Sequence, residues 1–196
     1  MISGLLLAAG ESRRMGSPKA LLRYQGQTFI ERICSAFLTA GVDELIVVLG
    51  AHAEELRGAL PAHPALRTVV NSRYFQGQLS SLMVGIGALS PDSEAAVVNL
   101  VDHPLVSAAT IKALINSFRA APLPILIASY QGKRGHPVLF SSHIYGEILA
   151  APLDQGAKVV VRKDPSRVRE LPLDDPGILA DIDTPEDYQR YVVAKR

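Results

Sequence analysis

Residues 4–19 read GLLLAAGESRRMGSPK, an apolar run followed by a loop with two glycines and three cationic side chains. The apolar run has the length and the composition of a buried β-strand. Glycines in the loop let the backbone approach an anion closely, and exposed N–H groups there form an anion site. Arg13, Arg14 and Lys19 against Glu11 give the loop a local charge of +2. The segment therefore predicts the first strand and the phosphate loop of an α/β protein.

Short apolar runs alternate with helical periodicity through most of the chain. Thr28 followed by Glu31 predicts a capping box at the start of one helix, and Gly41 predicts the end of that helix. Strands separated by helices indicate a Rossmann-like, doubly wound α/β fold with a mostly parallel sheet, which binds ligands beyond the carboxyl ends of its strands. The predicted strands are 4–8, 44–49, 66–70, 95–101 and 125–130, and the predicted helices are 28–40, 53–60, 79–89 and 108–118.

The last third of the chain has shorter elements. Residues 135–140 predict a short strand, and a helix is expected from about Ser142. Residues 158–161 and 168–173 are shorter apolar pieces among Asp, Pro and Gly. Because no linker, repeat or low-complexity tract interrupts the sequence, we expect a single domain over residues 1–196.

The composition limits the classes of function. Lys plus Arg number 20 against 19 Asp plus Glu, and this net charge of +1 argues against nucleic acid or an anionic membrane as a partner. No apolar run is long enough to span a membrane. The basic pair near the N-terminus follows the apolar stretch, which is the reverse of a secretory signal. We therefore expect a cytoplasmic protein.

The counts and spacings of Cys and His argue against a zinc site. The single Cys34 rules out an internal disulfide and a cysteine-cluster zinc site. Its position in a predicted amphipathic helix indicates a buried, inert thiol. The five histidines have no spacing typical of a zinc-binding helix. They are His52, His63, His103, His136 and His143.

The spacing within the first loop excludes three familiar motifs. The dinucleotide fingerprint needs three glycines in G-x-G-x-x-G, whereas Gly10 and Gly16 have no glycine between them. A Walker A loop has Lys directly after its second glycine, whereas Lys19 comes three residues after Gly16. The nucleophile elbow G-x-S-x-G needs glycine two residues after Ser12, where Arg14 stands instead.

The loop instead resembles a family signature. Residues 7–19 fit the pattern L-A-A-G-x-S-x-R-M-G-x-P-K at every fixed position. This pattern is similar to the signature of the MobA-like NTP transferases, which include the molybdenum cofactor cytidylyl- and guanylyltransferases. The wider superfamily includes the sugar-1-phosphate nucleotidyltransferases. The resemblance implies a fold of the nucleotide-diphospho-sugar transferase type.

Later segments resemble the same family, so that the likeness runs from residue 5 to residue 188. Residues 71–82, NSRYFQGQLSSL, are similar to the family's Gly-x-x-x-Ser-Leu nucleotide loop. Residues 101–105, VDHPL, resemble the D-x-P motif whose Asp binds magnesium, although His103 stands where Gln or Met is more usual. The segments that look like the cytidylyltransferase branch in particular are 135–137, 156–158 and 181–187.

The resemblance implies catalytic roles for Arg14, Lys19 and Asp102. A transferred nucleotidyl group builds negative charge on the α-phosphate and on the leaving pyrophosphate, and fixed cations stabilise that charge. Asp102 follows an apolar run, so its carboxylate can hold Mg²⁺ at a strand end; a turn cap is the alternative. Arg13 occupies a position that the family leaves free, and we interpret it as an exposed helper. The implied nucleotide-binding residues are Leu7, Ala8, Ala9, Gly10, Ser12, Lys19, Asn71, Gly77 and Ser81.

The second metal ligand has an alternative interpretation. The resemblance favours Asp183 as the partner of Asp102 on Mg²⁺, with Asp181 on the same face of an extended segment as the reserve. Asp183 or Thr184 can also cap a helix that has proline in its first turn, and a cap alone would explain the residue type.

The roles of two histidines and two serines also have more than one interpretation. We interpret His103 and His136 as acceptor-binding residues, although His136 is nearly as well explained as an ordinary polar loop residue. Ser80 and Ser81 precede an apolar helix and are explained either as N-caps or as nucleotide contacts at a helix N-terminus.

These residues predict a Mg²⁺-dependent nucleotidyltransferase in which positioning and electrostatics supply the rate. The resemblance implies transfer of CMP from CTP to the phosphate of molybdenum-molybdopterin, with release of pyrophosphate and with a molybdenum hydroxylase as a partner enzyme. Ala9 supports CTP, because Ala-Ala-Gly in this loop goes with cytidylyl transfer and Ala-Gly-Gly with guanylyl transfer. The alternatives are GTP as donor, a sugar or alditol phosphate as acceptor, or a non-catalytic chaperone that inserts the cofactor into a molybdenum hydroxylase.

Overall fold

The protein folds as a seven-stranded sheet with helices on both faces, in a computed structural model that describes residues 1–194. The strands are β1 (Ile2–Ala8), β2 (Arg23–Tyr24), β3 (Gln27–Thr28), β4 (Glu44–Leu49), β5 (Leu66–Val70), β6 (Ala95–Leu100), β7 (Ile125–Tyr130), β8 (Lys133–Ser141) and β9 (Val168–Pro172). The α-helices are α1 (Phe29–Ala40), α2 (Ala53–Gly58), α3 (Gln78–Gly87), α4 (Ala108–Ala120), α5 (Ser142–Leu149), α6 (Lys158–Arg162) and α7 (Pro185–Tyr188). Short 3-10 helices occupy Lys19–Leu21, Tyr74–Gln76, Pro165–Arg167 and Pro176–Leu179, and Gln189–Val193 forms a π-helix.

The sheet has the strand order β5-β4-β1-β6-β8-β7-β9. All neighbouring strands are parallel except β8, which runs antiparallel to both β6 and β7. The register pairs Ala8 with Leu49 and Leu7 with Leu100, so β1, β4 and β6 end at the same edge. This topology confirms the predicted doubly wound, mostly parallel α/β fold, and it places the loop after β1 beside the loop after β6.

Each face of the sheet buries its own apolar layer. Leu6 packs in one layer with Phe37 of α1 and Leu114 of α4. Leu5, which points to the other face, packs with Leu82 of α3 and Ile148 of α5. All seven residues of β1 are buried. A strand that is covered on both faces reads as a continuous apolar run, which is why the first strand can be found from the sequence.

The predicted ends of α1 are confirmed. Thr28 accepts a hydrogen bond from the Glu31 N–H and Glu31 reaches back to the Thr28 backbone, which is a capping box. Gly41 ends the helix in the left-handed conformation. Cys34 lies fully buried in α1, and burial raises the pKa of its thiol to about 12, so the thiol is inert at neutral pH. Within residues 1–194, no helix combines the length and the apolar character that a membrane span would require.

The structure extends the sequence-based assignment in three places. The strand expected at 135–140 is the nine-residue β8, which pairs with β7 across a tight turn. The apolar piece at 158–161 is the short helix α6. The hairpin of β2 and β3 was not predicted, because its turn residues Gln25 and Gly26 lack the usual Asn-Gly or Asp-Gly signal although both have positive φ.

One buried charge on the central sheet is fully compensated. Glu44 at the start of β4 accepts hydrogen bonds from Ser3 Oγ at 2.7 Å, from the Ser90 N–H at 2.8 Å and from Arg67 at 2.7 Å. Burial acts to raise the pKa of Glu44, and these three hydrogen bonds outweigh burial, so its pKa lies below the usual value. The ionised carboxylate therefore stabilises the folded state.

We predict that Glu44→Gln lowers the free energy of unfolding by about 1–3 kcal/mol, since the amide cannot accept from all three donors. A depressed pKa contributes stability at neutral pH that is lost as the pH falls below about 4, so the variant should lose less stability on acidification than the wild type. Urea unfolding at several pH values measures both effects. Glu54→Gln, on the exposed face of α2, is the matched control. Equal pH dependence in wild type and Glu44→Gln would contradict the assignment.

Candidate active site

A cleft of about 630 Å³ opens at the carboxyl edge of β1 and β6. Its walls are the loop that follows β1, the start of α3 with the residues before it, and the two residues after β6. Asp181 and Asp183, just before α7, close one side. The predicted site residues that line this cleft are Leu7, Ala9, Gly10, Ser12, Arg14, Lys19, Gly77, Ser81, Asp102 and Asp183.

The loop after β1 is held by its own hydrogen bonds. Ser12 has a positive φ of 56°, and its hydroxyl accepts a hydrogen bond from the Lys19 N–H at 3.0 Å. The Met15 N–H donates to the Ser12 carbonyl at 3.0 Å. Arg13 also lines the cleft, but 83% of its side chain is exposed and it pairs with Glu11. This geometry fits the interpretation of Arg13 as an exposed helper.

Lys19 lies between two carboxylates. Its ammonium group pairs with Asp183 and lies 3.7 Å from Asp102 Oδ2, and only 12% of the side chain is exposed. Arg14 also donates to Asp183. Burial acts to raise the pKa of Asp183, but Lys19 and Arg14 outweigh it and keep the pKa below its usual value. The two predicted catalytic cations therefore meet at one ionised carboxylate.

A second group of possible ligands lies beside Lys19. Asp102, His103 and Asp181 each present one ligand atom, and these three atoms lie within 4.8 Å of one another. Asp102 Oδ1 is buried and has no hydrogen-bond partner among residues 1–194. Burial, then the Asp102 and Asp183 charges, raise the pKa of Asp181 to about 6. A buried, unpartnered carboxylate oxygen among like charges fits a divalent cation, and these oxygen-rich donors suit Mg²⁺ or Mn²⁺.

The structure separates the alternatives for residues 181–184. Thr184 is the N-cap of α7, with Asp187 completing the capping box. The Asp183 carboxylate takes no part in that cap, because only its backbone N–H bonds to Asp187. Asp183 faces the loop cations, and Asp181 faces Asp102 in the metal-like cluster. Which of the two carboxylates would bind a metal stays a prediction.

Two predicted nucleotide-binding residues do not line the cleft. Ala8 is buried, and its side chain packs in the apolar layer beneath α1. Asn71 lies directly after β5 and is only 2% exposed. Its side-chain amide bonds to the hydroxyls of Ser80 and Ser81 in α3. Ser81 itself lines the cleft, so Asn71 stands one layer behind it.

His103 and His136 lie in the wall of a second cavity of about 820 Å³. Their ring centroids are 4.9 Å apart. Burial lowers the pKa of His103 to about 4 and that of His136 to about 3, so both imidazoles are neutral at pH 7. The two cavities adjoin, since Leu7, Gln78, Leu100 and Asp181 line both. The structure thus brings both predicted acceptor-binding residues next to the first cleft.

Several residues that line these two cavities were not predicted from the sequence. Tyr74 and Phe75 line the first cleft, and Phe75 is 71% exposed, which is unusual for phenylalanine. Arg134, Lys158 and Arg162 line the second cavity. The spacing of Lys158 and Arg162 by four residues on one helix was an available signal, because it places both cations on one face.

Comparisons with known proteins agree with this geometry. The family model described as the MobA-like NTP transferase domain matches residues 4–168. The chain is 33% identical over 198 residues to the nicotine blue oxidoreductase of Paenarthrobacter nicotinovorans, covering 96% of this chain and 95% of that one. It is 29% identical over 147 residues to a probable molybdenum cofactor guanylyltransferase of Bacillus cytotoxicus, covering 72% and 68%.

A solved structure extends the likeness to the whole fold. The crystal structure of Rv0371c from Mycobacterium tuberculosis in complex with manganese superposes with a TM-score of 0.80 at 31% identity. The match covers 98% of each chain.

We predict that Asp102→Asn weakens Mg²⁺ binding by at least about tenfold, a loss that even an outer-shell partner of a metal causes. The melting temperature should stay level or rise, because the amide removes a buried charge. Calorimetric titration with Mg²⁺ measures the affinity, and Asp92→Asn on the protein surface is the control. Asp181→Asn and Asp183→Asn, measured alongside, identify the second ligand. Unchanged affinity in Asp102→Asn would remove Asp102 from the metal site.

Proposed function

Because the chain belongs to the MobA-like NTP transferase family, we propose that it transfers CMP from CTP to the phosphate of molybdenum-molybdopterin and releases pyrophosphate. The observation that carries the proposal is the position of Lys19, which the loop after β1 holds between Asp102 and Asp183 at the floor of the cleft. Cations on a glycine-bearing loop are suited to a triphosphate, and the adjoining acidic group is suited to a metal ion.

The transfer is an exchange of one P–O bond for another. An acceptor phosphate oxygen attacks the α-phosphorus of CTP, and the bond from that phosphorus to the bridging oxygen of the leaving pyrophosphate breaks. Lys19 and Arg14 would compensate the charge that develops on the α-phosphate and on the pyrophosphate. A bound Mg²⁺ would neutralise phosphate charge, held by Asp102 together with Asp183 or Asp181. No protein nucleophile is required, so the protein contributes positioning and charge.

The second cavity is proposed as the acceptor site. It shares Asp181 and Leu7 with the first cleft, so a ligand there would lie next to the nucleotide. His103 and His136 line it as neutral imidazoles, which can donate one hydrogen bond and accept another. Phe140 and Val138 give it an apolar wall. These features support an acceptor with both an apolar body and polar edges.

The choice of CTP rests on Ala9, whereas the Bacillus cytotoxicus relative carries the name of a guanylyltransferase. Ala9 lines the cleft and is only 5% exposed. Its methyl group lies close to Gly50, because a Cβ placed on Gly50 would come within 2.8 Å of the Ala9 Cβ. This contact fixes the position of residue 9, which lines the cleft, and we propose that its methyl group crowds a purine more than a pyrimidine.

A different class of activity is supported by one comparison. The similarity to the Paenarthrobacter nicotinovorans protein covers nearly the whole of both chains, and that protein is named an oxidoreductase acting on nicotine blue. The second candidate is therefore a redox enzyme in which the loop cations bind the phosphates of a nucleotide cofactor. A non-catalytic carrier that inserts the molybdenum cofactor into a hydroxylase is the third.

Pyrophosphate release separates these candidates. The protein is mixed with CTP or GTP, Mg²⁺ or Mn²⁺, and molybdenum-molybdopterin or a sugar phosphate, and pyrophosphate is measured by a coupled assay. We expect release that requires CTP, the metal and molybdenum-molybdopterin together. If release occurs with GTP and not with CTP, the donor is GTP. If release occurs with a sugar phosphate and not with molybdenum-molybdopterin, the acceptor is a sugar phosphate. No release with any pair, combined with nucleotide binding, would favour the carrier or the redox enzyme.

We predict that Lys19→Ala costs about 2–4 kcal/mol of transition-state stabilisation, the range for loss of one preorganised donor to developing charge. Arg14→Ala should lower turnover clearly, because Arg14 reaches the same carboxylate as Lys19. Arg13→Ala is the matched control and should cost much less, since Arg13 is paired with Glu11 in solvent. Steady-state pyrophosphate release gives the three values. Equal losses for the two arginines would contradict the assignment of Arg14.

We predict that Ala9→Gly raises the relative use of GTP without abolishing the use of CTP. A single methyl contact discriminates by about 1–3 kcal/mol, or roughly ten- to two-hundred-fold in specificity. The measurement is the ratio of kcat/KM for CTP to that for GTP in wild type and variant. A wild-type enzyme that prefers GTP would overturn the proposed donor.

A further inference from the structure

Asn71 is buried behind the cleft, and both polar atoms of its side chain form hydrogen bonds. Its Oδ1 accepts the Arg73 N–H at 2.9 Å. Its Nδ2 donates to Ser80 Oγ at 2.9 Å and to Ser81 Oγ at 3.0 Å. A backbone N–H can only donate, so the bond to Arg73 fixes which end of the amide carries the oxygen. The NH₂ group therefore faces the two serines.

The two serine hydroxyls differ in the groups to which they donate hydrogen bonds. Ser80 Oγ donates within the protein, to the Gly77 carbonyl at 2.8 Å or to the Arg73 carbonyl at 3.2 Å. Ser81 Oγ has no further partner among residues 1–194, and its side chain lines the cleft. Because the Asn71 amide occupies one lone pair of Ser81, the Ser81 O–H is left as a donor.

We propose that Asn71 is a positioning residue that makes the Ser81 hydroxyl an obligatory hydrogen-bond donor to the nucleoside half of the bound nucleotide. The inference rests on the proposed function, since it assumes that the cleft holds an NTP. Ser81 is 4% exposed, so its proton has little access to water and needs an acceptor from the ligand. The atoms that fit are carbonyl or ring-nitrogen acceptors of a nucleobase, whereas an N–H group at that position would be repelled.

The backbone supports a fixed position for this network. The Asn71 N–H donates to the Leu49 carbonyl at 2.8 Å, which continues the ladder of β4 and β5 by one residue. Gly77, with a φ of 97°, turns the chain into the first turn of α3, where Ser80 and Ser81 stand. The amide therefore joins the end of the β4–β5 strand pair to the start of α3, which faces the cleft.

The decisive variant is Asn71→Asp, which keeps the shape but offers only acceptors to the serines. The Ser81 proton would then turn toward the aspartate and away from the ligand. CTP affinity is measured by calorimetry with Mg²⁺ and without the acceptor substrate. We expect it to fall about tenfold, the loss caused when one hydrogen bond is removed and its partner is left unpaired. Ser81→Ala should fall by a similar factor. The double variant should be no worse than Ser81→Ala alone, because the two residues act through one bond.

Inorganic triphosphate is the control ligand for charge and folding. It would bind the loop cations without using Ser81, so its affinity should be unchanged in Ser81→Ala and within about threefold of the wild type in Asn71→Asp. If Asn71→Asp loses triphosphate binding to the same extent as CTP binding, the new charge or misfolding causes the loss of CTP affinity. The proposal is then decided by Ser81→Ala, which adds no charge. Ser80→Ala is the matched serine control, and its CTP affinity should fall much less than that of Ser81→Ala.

Kinetics give a second readout. Loss of a contact made equally in the ground and transition states raises KM and leaves kcat unchanged. We expect this split for CTP in both Asn71→Asp and Ser81→Ala. Wild-type CTP affinity in Ser81→Ala, or additive losses in the double variant, would overturn the proposal even if Asn71→Asp does not fold. Failure of the wild-type protein to bind any NTP would instead overturn the proposed function.

Discussion

The ion pairing of Lys19 with Asp102 and Asp183 is the interaction on which the rest of the site depends. It joins the loop after β1, the end of β6 and the segment before α7, which are far apart in the sequence. Three carboxylates meet here, and Asp181 carries a raised pKa because burial and the other two disfavour its ionised form. Lys19 and Arg14 offset only part of that charge. The negative charge that remains favours a ligand that brings its own cation, as a metal-bound triphosphate does.

The sheet explains how these groups come together. β1 lies between β4 and β6, and all three parallel strands end at one edge with matched register. The chain leaving β1 then has to pass over the ends of its neighbours, which places a cationic loop above Asp102. Covering both faces of the sheet with helices leaves this edge as the open side. The position of the cleft thus follows from strand order, and doubly wound sheets generally bind ligands at such an edge.

Much of this architecture could be predicted because its signals are local. The buried strands are continuous apolar runs, the Thr28 capping box has its own spacing, and the first loop has a distinctive pattern of glycine and cations. The features that could not be predicted depend on which side-chain contacts the folded chain makes. The role of Asn71 depends on the start of α3, and the separate orientations of Asp181 and Asp183 depend on Thr184 taking the cap. Residue type alone could not separate those alternatives, since Asp and Thr are both good caps.

The junction of the two cavities bears on how donor and acceptor would meet. Asp181 lines both cavities and belongs to the cluster with Asp102 and His103. These three residues could hold a metal ion, which would supply positive charge for phosphate groups near the junction. The neighbouring imidazoles, His103 and His136, are kept neutral by burial, so they add no positive charge that would compete with the metal for phosphate oxygens. The proposed acceptor cavity therefore combines two neutral imidazoles with the cationic side chains of Arg134, Lys158 and Arg162. In the proposed reaction, positive charge at the junction would favour the attacking phosphate oxygen beside the α-phosphorus, while Arg134, Lys158 and Arg162 would compensate other negative charge on the acceptor.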